Sequence, residues 1–209
     1  MRTLVIETAS EACSIALFAG EALLARDHRV IGRGHAEALV PMIAALPDKG
    51  HAARILVGLG PGSFTGVRIA LASARALGLA WDARVLGYPT LALIAAQARA
   101  ARPGARVTVC VHGGHGEWFV ADFDAAGLPL GAPRSLTPAA AAARGAAPLI
   151  AGNRAAELAG LIGAGHEALA LLPDASCAPL IPPALLSDHL APIYGRGADA
   201  TPMAARAPR

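Results

Sequence analysis

A glycine-rich segment, Gly60-Pro61-Gly62-Ser63, follows a short apolar run and precedes a long helical pattern. A strand, a glycine turn and a helix in this order can hold a phosphate group at the helix N-terminus. The spacing fits neither common nucleotide-binding version, because GxxxxGK[ST] needs a lysine and the chain's only lysine, Lys49, lies upstream. GxGxxG needs one residue fewer before its last glycine, Gly66. The residues therefore favour a tight turn in which Ser63 caps the following helix.

The histidines of the chain do not form a recognisable metal site. A helical metal site needs two histidines one turn apart, and the residue four places after His35 is Leu39. His112 and His115 lie in a glycine turn whose one nearby acid is Glu117, which favours a solvated turn over a zinc or iron site. No serine or cysteine has a recognisable base partner. The residues alone predict no metal and no catalytic nucleophile.

Composition limits the class of protein. The chain has 209 residues, of which 55% are hydrophobic and 16% are charged, so it is long enough for two small folded lobes. Charges or prolines interrupt its apolar stretches, so we expect no membrane span, no signal peptide and a cytoplasmic location. The cysteines are far apart and are expected to be reduced and buried: Cys13, Cys110 and Cys177. The net charge of +3 comes from scattered arginines and predicts at most peripheral contact with a polyanion.

The hydrophobic pattern places the glycine-rich segment between a strand and a helix. We expect strands at residues 4–7, 14–18 and near 22–28, then a helix from His35. A strand at 55–58 leads through the glycine turn into a helix that ends near Trp81. A strand at 85–87 and a helix at 90–101, with Thr90 as its cap, complete this half.

The strongest boundary signal is Arg102-Pro103-Gly104, after which the pattern restarts. Strands are expected at 107–111, 118–123 and 149–151, and helices at 139–144 and 154–162. Both halves place strands before helices, which predicts an α/β protein of two related lobes. We assign residues 1–102 to an N-terminal lobe and residues 103–209 to a smaller C-terminal lobe with a loosely held tail from Gly195.

The helix after the glycine turn has a ridge of small side chains. Its members recur at every fourth position: Gly66, Ala70, Ala74 and Gly78. Such a ridge lets another helix approach to about 8 Å. Spacing does not decide whether that helix belongs to the same lobe or to a partner. Arg68 and Arg75 share another face, where they are either solvated or directed at the carboxylates of a partner.

Several ordered segments resemble the TsaB (YeaZ) family. Residues 4–17 are similar to its N-terminal hairpin, and residues 60–78 with 87–91 are similar to its central signature. Residues 35–37 and 192–196 also fall where the family has similar segments. The sequence departs from the family at Glu7, where an aspartate is usual, and over residues 112–119, where an Asp-Ala-Arg stretch is usual.

The resemblance implies two ribonuclease-H-like lobes of the actin/sugar-kinase/Hsp70 (ASKHA) group. It implies a subunit without catalytic residues, metal or cofactor that binds TsaD, with TsaE joining. TsaD would then transfer the threonylcarbamoyl group to adenosine 37 of ANN-decoding tRNAs, and this chain would meet tRNA only indirectly, through the complex. Family members also pair with themselves, so a homodimer is a further expectation.

The resemblance also implies a partner interface on helices of the N-terminal lobe. The residues expected there are Ser63, Phe64, Thr65, Gly66, Arg68, Ala70, Ala74, Gly78 and His35. Glu7 and Thr8 stand where phosphate-binding members of the fold place an acid and a hydroxyl, which leaves a vestigial nucleotide contact open. The alternatives are an enzyme of the same superfamily, metallopeptidase-like or sugar-kinase-like, and a self-associating regulator without a tRNA role.

Overall fold

A computed structural model describes residues 1–195 of the chain. In the first half, short runs rich in valine, isoleucine and leucine build a five-stranded sheet. Its strands are β1 (Arg2–Glu7), β2 (Ala12–Ala19), β3 (Ala22–Val30), β4 (Arg54–Gly58) and β5 (Arg84–Tyr88). They lie in the order β3-β2-β1-β4-β5. Strand β2 is antiparallel to both β1 and β3, whereas β4 runs parallel to β1 and β5 runs parallel to β4.

The second half of the chain repeats this arrangement. Its strands are β6 (Val107–Gly114), β7 (Glu117–Phe123), β8 (Arg134–Leu136), β9 (Leu149–Ala151) and β10 (Glu167–Leu169). The order is β8-β7-β6-β9-β10, again with three antiparallel strands followed by two parallel ones. The predicted fold class, α/β with two ribonuclease-H-like lobes of the ASKHA group, is therefore confirmed.

Within residues 1–195, five α-helices cover the two sheets. They are α1 (His35–Ala44), α2 (Phe64–Trp81), α3 (Thr90–Ala101), α4 (Pro138–Arg144) and α5 (Ala155–Ile162). Short 3-10 helices lie at Pro47–Gly50, Ala175–Leu180 and Pro183–Leu185. Over residues 1–195, none of the helices combines the length and the apolar character that crossing a membrane requires.

Helix α3 belongs to the hydrophobic cores of both lobes. Its Leu93 and Ala96 pack against Val5 and Leu56 of the first sheet. Its other apolar side chains pack with strands of the second sheet: Leu91, Ala92, Ile94, Ala95 and Ala98. Helices α1 and α2 cover the opposite face of the first sheet. Strands β1, β2 and β4 of the first sheet are thus buried on both faces, whereas β3 at its edge has no buried residue.

The last described segment returns to the first lobe. Ser187 pairs with Gly87 at the edge of β5, and the Ile193 backbone N–H donates to the carbonyl oxygen of Leu59 at 2.8 Å. Residues 187–193, which the sequence assigned to the C-terminal lobe, therefore pack on the N-terminal lobe. The loosely held tail predicted from Gly195 onward lies, apart from that glycine, outside the described residues.

Candidate functional site

The glycine-rich loop lies against the turn that connects β1 and β2. The Ser63 backbone N–H donates to the Ala9 carbonyl oxygen at 2.7 Å, and the Thr8 hydroxyl donates to the Gly66 carbonyl oxygen at 2.6 Å. A Cβ atom on Gly62 would overlap the Ala9 carbonyl, and one on Gly66 would overlap the Thr8 carbonyl. Glycine is thus required at both positions by the close approach of two backbone segments.

Ser63 begins helix α2 as the sequence predicted. Its hydroxyl oxygen accepts a hydrogen bond from the Gly66 backbone N–H at 3.2 Å, which pairs one of the free amides of the first helical turn. The glycine-rich segment is therefore a capped tight turn, and this interpretation is confirmed.

A buried carboxyl group lies beneath the loop. Glu7 is fully buried, and its two oxygens accept from the Ala9 backbone N–H at 2.8 Å and from the Thr90 hydroxyl at 3.0 Å. Thr90 in turn accepts from the Gly60 backbone N–H at 3.1 Å. Desolvation by burial outweighs these hydrogen bonds and raises the pKa of Glu7 from 4.5 to about 7.

This network corrects the expected cap of α3. Pro89 occupies the N-cap position, and Thr90 is the first residue inside the helix. The hydroxyl of Thr90 joins β1 to the glycine-rich loop and makes no cap hydrogen bond. Sequence spacing alone did not identify Thr90 as part of this network, because its partners lie far away along the chain.

The placement of Glu7 and Thr8 speaks against the nucleotide contact that the sequence left open. Both side chains have no exposed surface, and the hydroxyl of Thr8 is committed to the Gly66 carbonyl. The glycine-rich loop lies directly against the β1–β2 turn. A nucleotide could contact Glu7 or Thr8 only after the loop had moved away from the turn.

The small-residue ridge of α2 faces the interior of its own lobe. Ala70 and Ala74 have no exposed surface, and Gly66 and Gly78 are buried as well. A Cβ atom on Gly78 would overlap the Val85 side chain of β5. The prediction that this ridge faces a partner is therefore wrong, because the close packing that it permits is used against the β1–β2 turn, α1 and the first sheet.

His35 is buried too, although the sequence placed it in the partner interface. It is the first residue of α1, and its Nε2 atom has no hydrogen-bond partner among the described residues. His112 and His115 lie on the surface at the β6–β7 turn, where the backbone of His115 has a φ of 52°. Over residues 1–195, no group of three or more histidine, cysteine or acidic side chains is arranged to hold a metal ion.

The opposite face of α2 is exposed and carries the remaining predicted interface residues. The exposed positions follow helical spacing: Thr65, Arg68, Ala72, Ala76 and Leu79. Leu79 is 88% exposed, and Val40 on the neighbouring helix α1 is 61% exposed. The middle of this face carries only the small side chains of Ala72 and Ala76, so another helix can approach it closely. We call this surface the outer face of α1 and α2.

An aromatic cluster lies at the N-terminal end of this outer face. Phe64 and Tyr194 are both more than half exposed, and their ring centres are 5.8 Å apart. The Arg68 guanidinium lies over the Phe64 ring, 3.2 Å from its centre, and donates to the Tyr194 hydroxyl at 3.2 Å. Tyr194 comes from the returning C-terminal segment, so its part in this cluster was not predictable from local sequence.

One polar contact joins the two lobes at the hairpin turns. The Asn153 side-chain amide donates to both carboxylate oxygens of Glu11, at 2.9 and 3.0 Å. The amide oxygen of Asn153 accepts from the His112 backbone N–H at 2.9 Å. Asn153 was not among the residues predicted from the sequence, and its one local signal is its position two residues after the third predicted strand of the second lobe.

Comparison with known proteins relates the chain to tRNA-modification proteins. The family model described as "TsaD: tRNA N6-adenosine threonylcarbamoyltransferase" matches residues 29–132. The tRNA threonylcarbamoyladenosine biosynthesis protein TsaB of Escherichia coli K12 is 33% identical over 128 residues, which make up 59% of this chain and 55% of that protein. An uncharacterized protein of Mycobacterium tuberculosis is 38% identical over 101 residues, or 45% of this chain and 48% of the relative. The matched segments thus span about half the length of these relatives.

Solved structures match over more of the chain. YeaZ from Pseudomonas aeruginosa is 27% identical, with a TM-score of 0.78 over 92% of this chain and 99% of that one. A second structure, of an uncharacterized protein with similarity to peptidase YeaZ from Pseudomonas aeruginosa, is 28% identical with a TM-score of 0.71, over 86% of this chain and 89% of the other.

The repeated strand order and the shared helix α3 define a two-lobed protein of the ASKHA class, in which the first hairpin turn is covered by a glycine-rich loop. Within that class, the sequence and structural matches support a member of the TsaB (YeaZ) family.

Proposed function

We propose that this chain is a non-catalytic subunit in the biosynthesis of threonylcarbamoyladenosine in tRNA. In this role it binds TsaD, with TsaE joining, and supports threonylcarbamoyl transfer to adenosine 37 of ANN-decoding tRNAs. The observation that carries the proposal is the exposed apolar outer face of α1 and α2 in a member of the TsaB (YeaZ) family.

The outer face has the character of a protein-binding surface. Leu79, Val40 and Phe64 are exposed to 88%, 61% and 57%, and large apolar side chains of this kind gain most when a partner covers them. Arg68 lies beside them and can pair with a carboxylate of the partner. Of the predicted interface residues, Ser63, Phe64, Thr65 and Arg68 are on the surface and remain in this proposal.

The covered hairpin turn supports a role without catalysis. In this chain the Thr8 hydroxyl holds the Gly66 carbonyl, and the Thr90 hydroxyl joins Glu7 to Gly60, so both groups hold the glycine-rich loop in place and fix the start of α2. These groups position the exposed helix instead of binding a phosphate. We therefore propose that the polar residues that follow β1 serve the partner surface.

The proposal is tested by co-purification of the full chain with TsaD. Leu79→Glu places a charge on the outer face near the C-terminal end of α2 and should weaken TsaD binding at least about tenfold. The folded chain itself should keep its stability within about 0.5 kcal/mol, because the side chain is almost fully exposed. The matched control is Leu161→Glu on α5, where the leucine is 55% exposed, and it should bind TsaD like the unchanged chain.

Two results would count against the proposal. If the unchanged chain neither co-purifies with TsaD nor restores the modification in a strain that lacks its own TsaB, the function is wrong. If Leu79→Glu binds as well as Leu161→Glu, the function stands and the surface is wrong. Mass measurement of the chain with and without TsaD tells whether self-association uses the same face, since TsaD would then displace the second copy.

A further inference from the structure

Basic side chains that are far apart in the sequence come together at one end of the first sheet. Arg54 begins β4 and Arg84 begins β5, and the two residues are paired in register in neighbouring parallel strands. Thr3 of β1 is the register partner of Arg54 on its other side. Side chains paired in this way leave the same face of the sheet, about 4.8 Å apart.

Two further basic side chains lie at the same end. Arg2 begins β1 and forms an ion pair with Asp48, which brings the 3-10 helix at Pro47–Gly50 to the start of the sheet. Lys49, the only lysine of the chain, directly follows Asp48. We call the set Arg2, Lys49, Arg54 and Arg84 the basic edge.

The basic edge has four basic side chains and fewer carboxylates than would neutralise them. Within residues 1–195, Lys49, Arg54 and Arg84 form no ion pair; the Arg54 Nε–H donates instead to the Thr3 hydroxyl at 3.1 Å. Two acids lie near in sequence, Asp48, which pairs with Arg2, and Asp82. Like charges side by side in a sheet lower its stability, so the register pair of arginines has an unfavourable interaction that an anionic partner would relieve.

In the second lobe, the charged residue at the start of the corresponding edge strand has a partner within the chain. Its fifth strand in the repeated order, β10, begins with Glu167, which receives a two-pronged hydrogen bond and ion pair from Arg102 after α3. The charge at the start of that strand is therefore satisfied inside the chain. The corresponding residue of the first lobe, Arg84, is exposed and forms no ion pair in the described part of the chain.

An aromatic pair flanks the basic edge. The rings of His51 and Trp81 lie with their centres 5.1 Å apart. His51 precedes Arg54 by three residues and Trp81 precedes Arg84 by three, so the pair lies at the start of the same two strands. Basic side chains next to aromatic rings suit a nucleic acid, whose phosphates pair with guanidinium groups and whose bases stack on rings.

We propose that the basic edge contacts the sugar-phosphate backbone of tRNA. The inference rests on the proposed function, because that function supplies tRNA as the polyanion. Arg54 and Arg84 contact phosphate groups, and the His51–Trp81 pair flanks an unpaired stretch of the strand. This contact positions the tRNA but does not depend on its sequence, because phosphate groups are the same at every nucleotide.

The test measures the binding of fluorescently labelled tRNA by anisotropy, with the full chain alone and with the chain bound to TsaD. Salt is varied from about 50 to 200 mM KCl, because each phosphate contact contributes about one unit to the salt slope. Arg54→Gln/Arg84→Gln should weaken binding about tenfold near 0.1 M salt and lower the slope by about two. The loss should be equal for a tRNA that decodes ANN codons and for one that does not.

The matched control removes the same charge from exposed arginines of the second lobe, as Arg106→Gln/Arg134→Gln, and should leave binding and slope nearly unchanged. If the double variant at the edge fails to fold, Arg84→Gln alone should lower the slope by about one, since Arg84 is exposed.

Four results would overturn the inference. They are no tRNA binding by the unchanged chain in either preparation, an unchanged slope in the edge variant, an equal loss in the control, and lost TsaD or TsaE binding with tRNA binding intact. The last result would assign the basic edge to an acidic protein surface. If the unchanged chain binds tRNA through the edge but does not bind TsaD, the inference stands and the proposed function fails.

Discussion

The two lobes share a strand order but treat the turn after their first strand in different ways. In the first lobe, the loop after β4 lies on the β1–β2 turn, and an 18-residue helix follows it. In the second lobe, the loop after β9 contacts β6 within the strand, where the Arg154 backbone N–H donates to the Cys110 carbonyl at 3.1 Å, and an eight-residue helix follows.

In both lobes a glycine lets this loop approach the first strand of the sheet closely, but at different positions along that strand. Gly152 lies against the Cys110 carbonyl inside β6, so the turn beyond that strand is not covered and His115 reaches the surface. In the first lobe, Gly62 and Gly66 lie against carbonyls beyond the end of β1 and cover the turn itself. The first lobe therefore uses its loop to support a long exposed helix. The second lobe uses Asn153, in the corresponding loop, to contact Glu11 of the first lobe.

The largest expected effect tests the tight contact at Gly66. Gly66→Ala should destabilise the chain by about 3 kcal/mol or more, because the new methyl group overlaps the rigid Thr8 carbonyl. Gly160→Ala in α5 of the second lobe is the matched change, since nothing lies near its Cβ position, and it should stabilise by roughly 0.5–1 kcal/mol. Urea unfolding of both variants measures the two values. Equal effects would mean that the two lobes do not differ at this contact.

The next effect concerns the buried carboxyl group of the first lobe. The folded-state pKa of Glu7, about 7, lies above its ordinary value of 4.5, so the folded chain holds the proton more tightly than the unfolded chain. Its contribution to stability is complete below pH 4.5 and is lost as the pH rises through 7, by about 3 kcal/mol. Glu7→Gln should remove this decline.

The measurement is the free energy of unfolding across pH 4 to 8, roughly the window between the two pKa values. Glu21→Gln is the control, because Glu21 is an exposed acid of the same lobe, and it should keep the decline. A decline of the same size in Glu7→Gln would show that another group causes it.

A smaller effect is expected at the polar contact between the lobes. Asn153→Ala removes two hydrogen bonds to Glu11 and one from the His112 backbone, and should cost about 1–2 kcal/mol. A double-mutant cycle with Glu11→Gln isolates the part that belongs to the pair. Additive losses would indicate that Asn153 stabilises its own lobe alone.

The smallest effect compares the caps of two helices. Ser63→Ala should cost about 1 kcal/mol, because the hydroxyl begins a long helix that packs on the sheet. Thr137→Ala removes the similar cap of α4, where the hydrogen bond to Ala140 is 3.3 Å long and exposed, and should cost only a few tenths. Thermal unfolding of both variants provides the comparison, and a larger loss at Thr137 would reverse it.

Local sequence predicted most of the elements, because their patterns are long and regular. Helix α3 and strand β9 have the predicted ends, and the strands and helices that surround the glycine-rich loop differ from prediction by one or two residues at most of their ends. Strands β8 and β10 were missed. Each has three residues, none of them buried, so pairing with a neighbouring strand, and not composition, makes them strands.

The candidate site was less predictable, since its contacts join distant segments. A four-residue period showed correctly that Gly66, Ala70, Ala74 and Gly78 share one face, but periodicity does not tell which way that face points. Thr8, 58 residues before Gly66, decides the direction. The basic edge is similar, because Arg54 and Arg84 look scattered until the register of β4 and β5 places them side by side.

Helix α3 determines how the lobes can move. A hinge rotation that opened the space between the sheets would have to pull this helix away from one of the two cores that it completes. Either movement would expose apolar side chains that are now almost fully buried, such as Leu91 and Leu93. We therefore expect the lobes to move little relative to each other, and the backbone amides of α3 should exchange with solvent only when the whole chain unfolds.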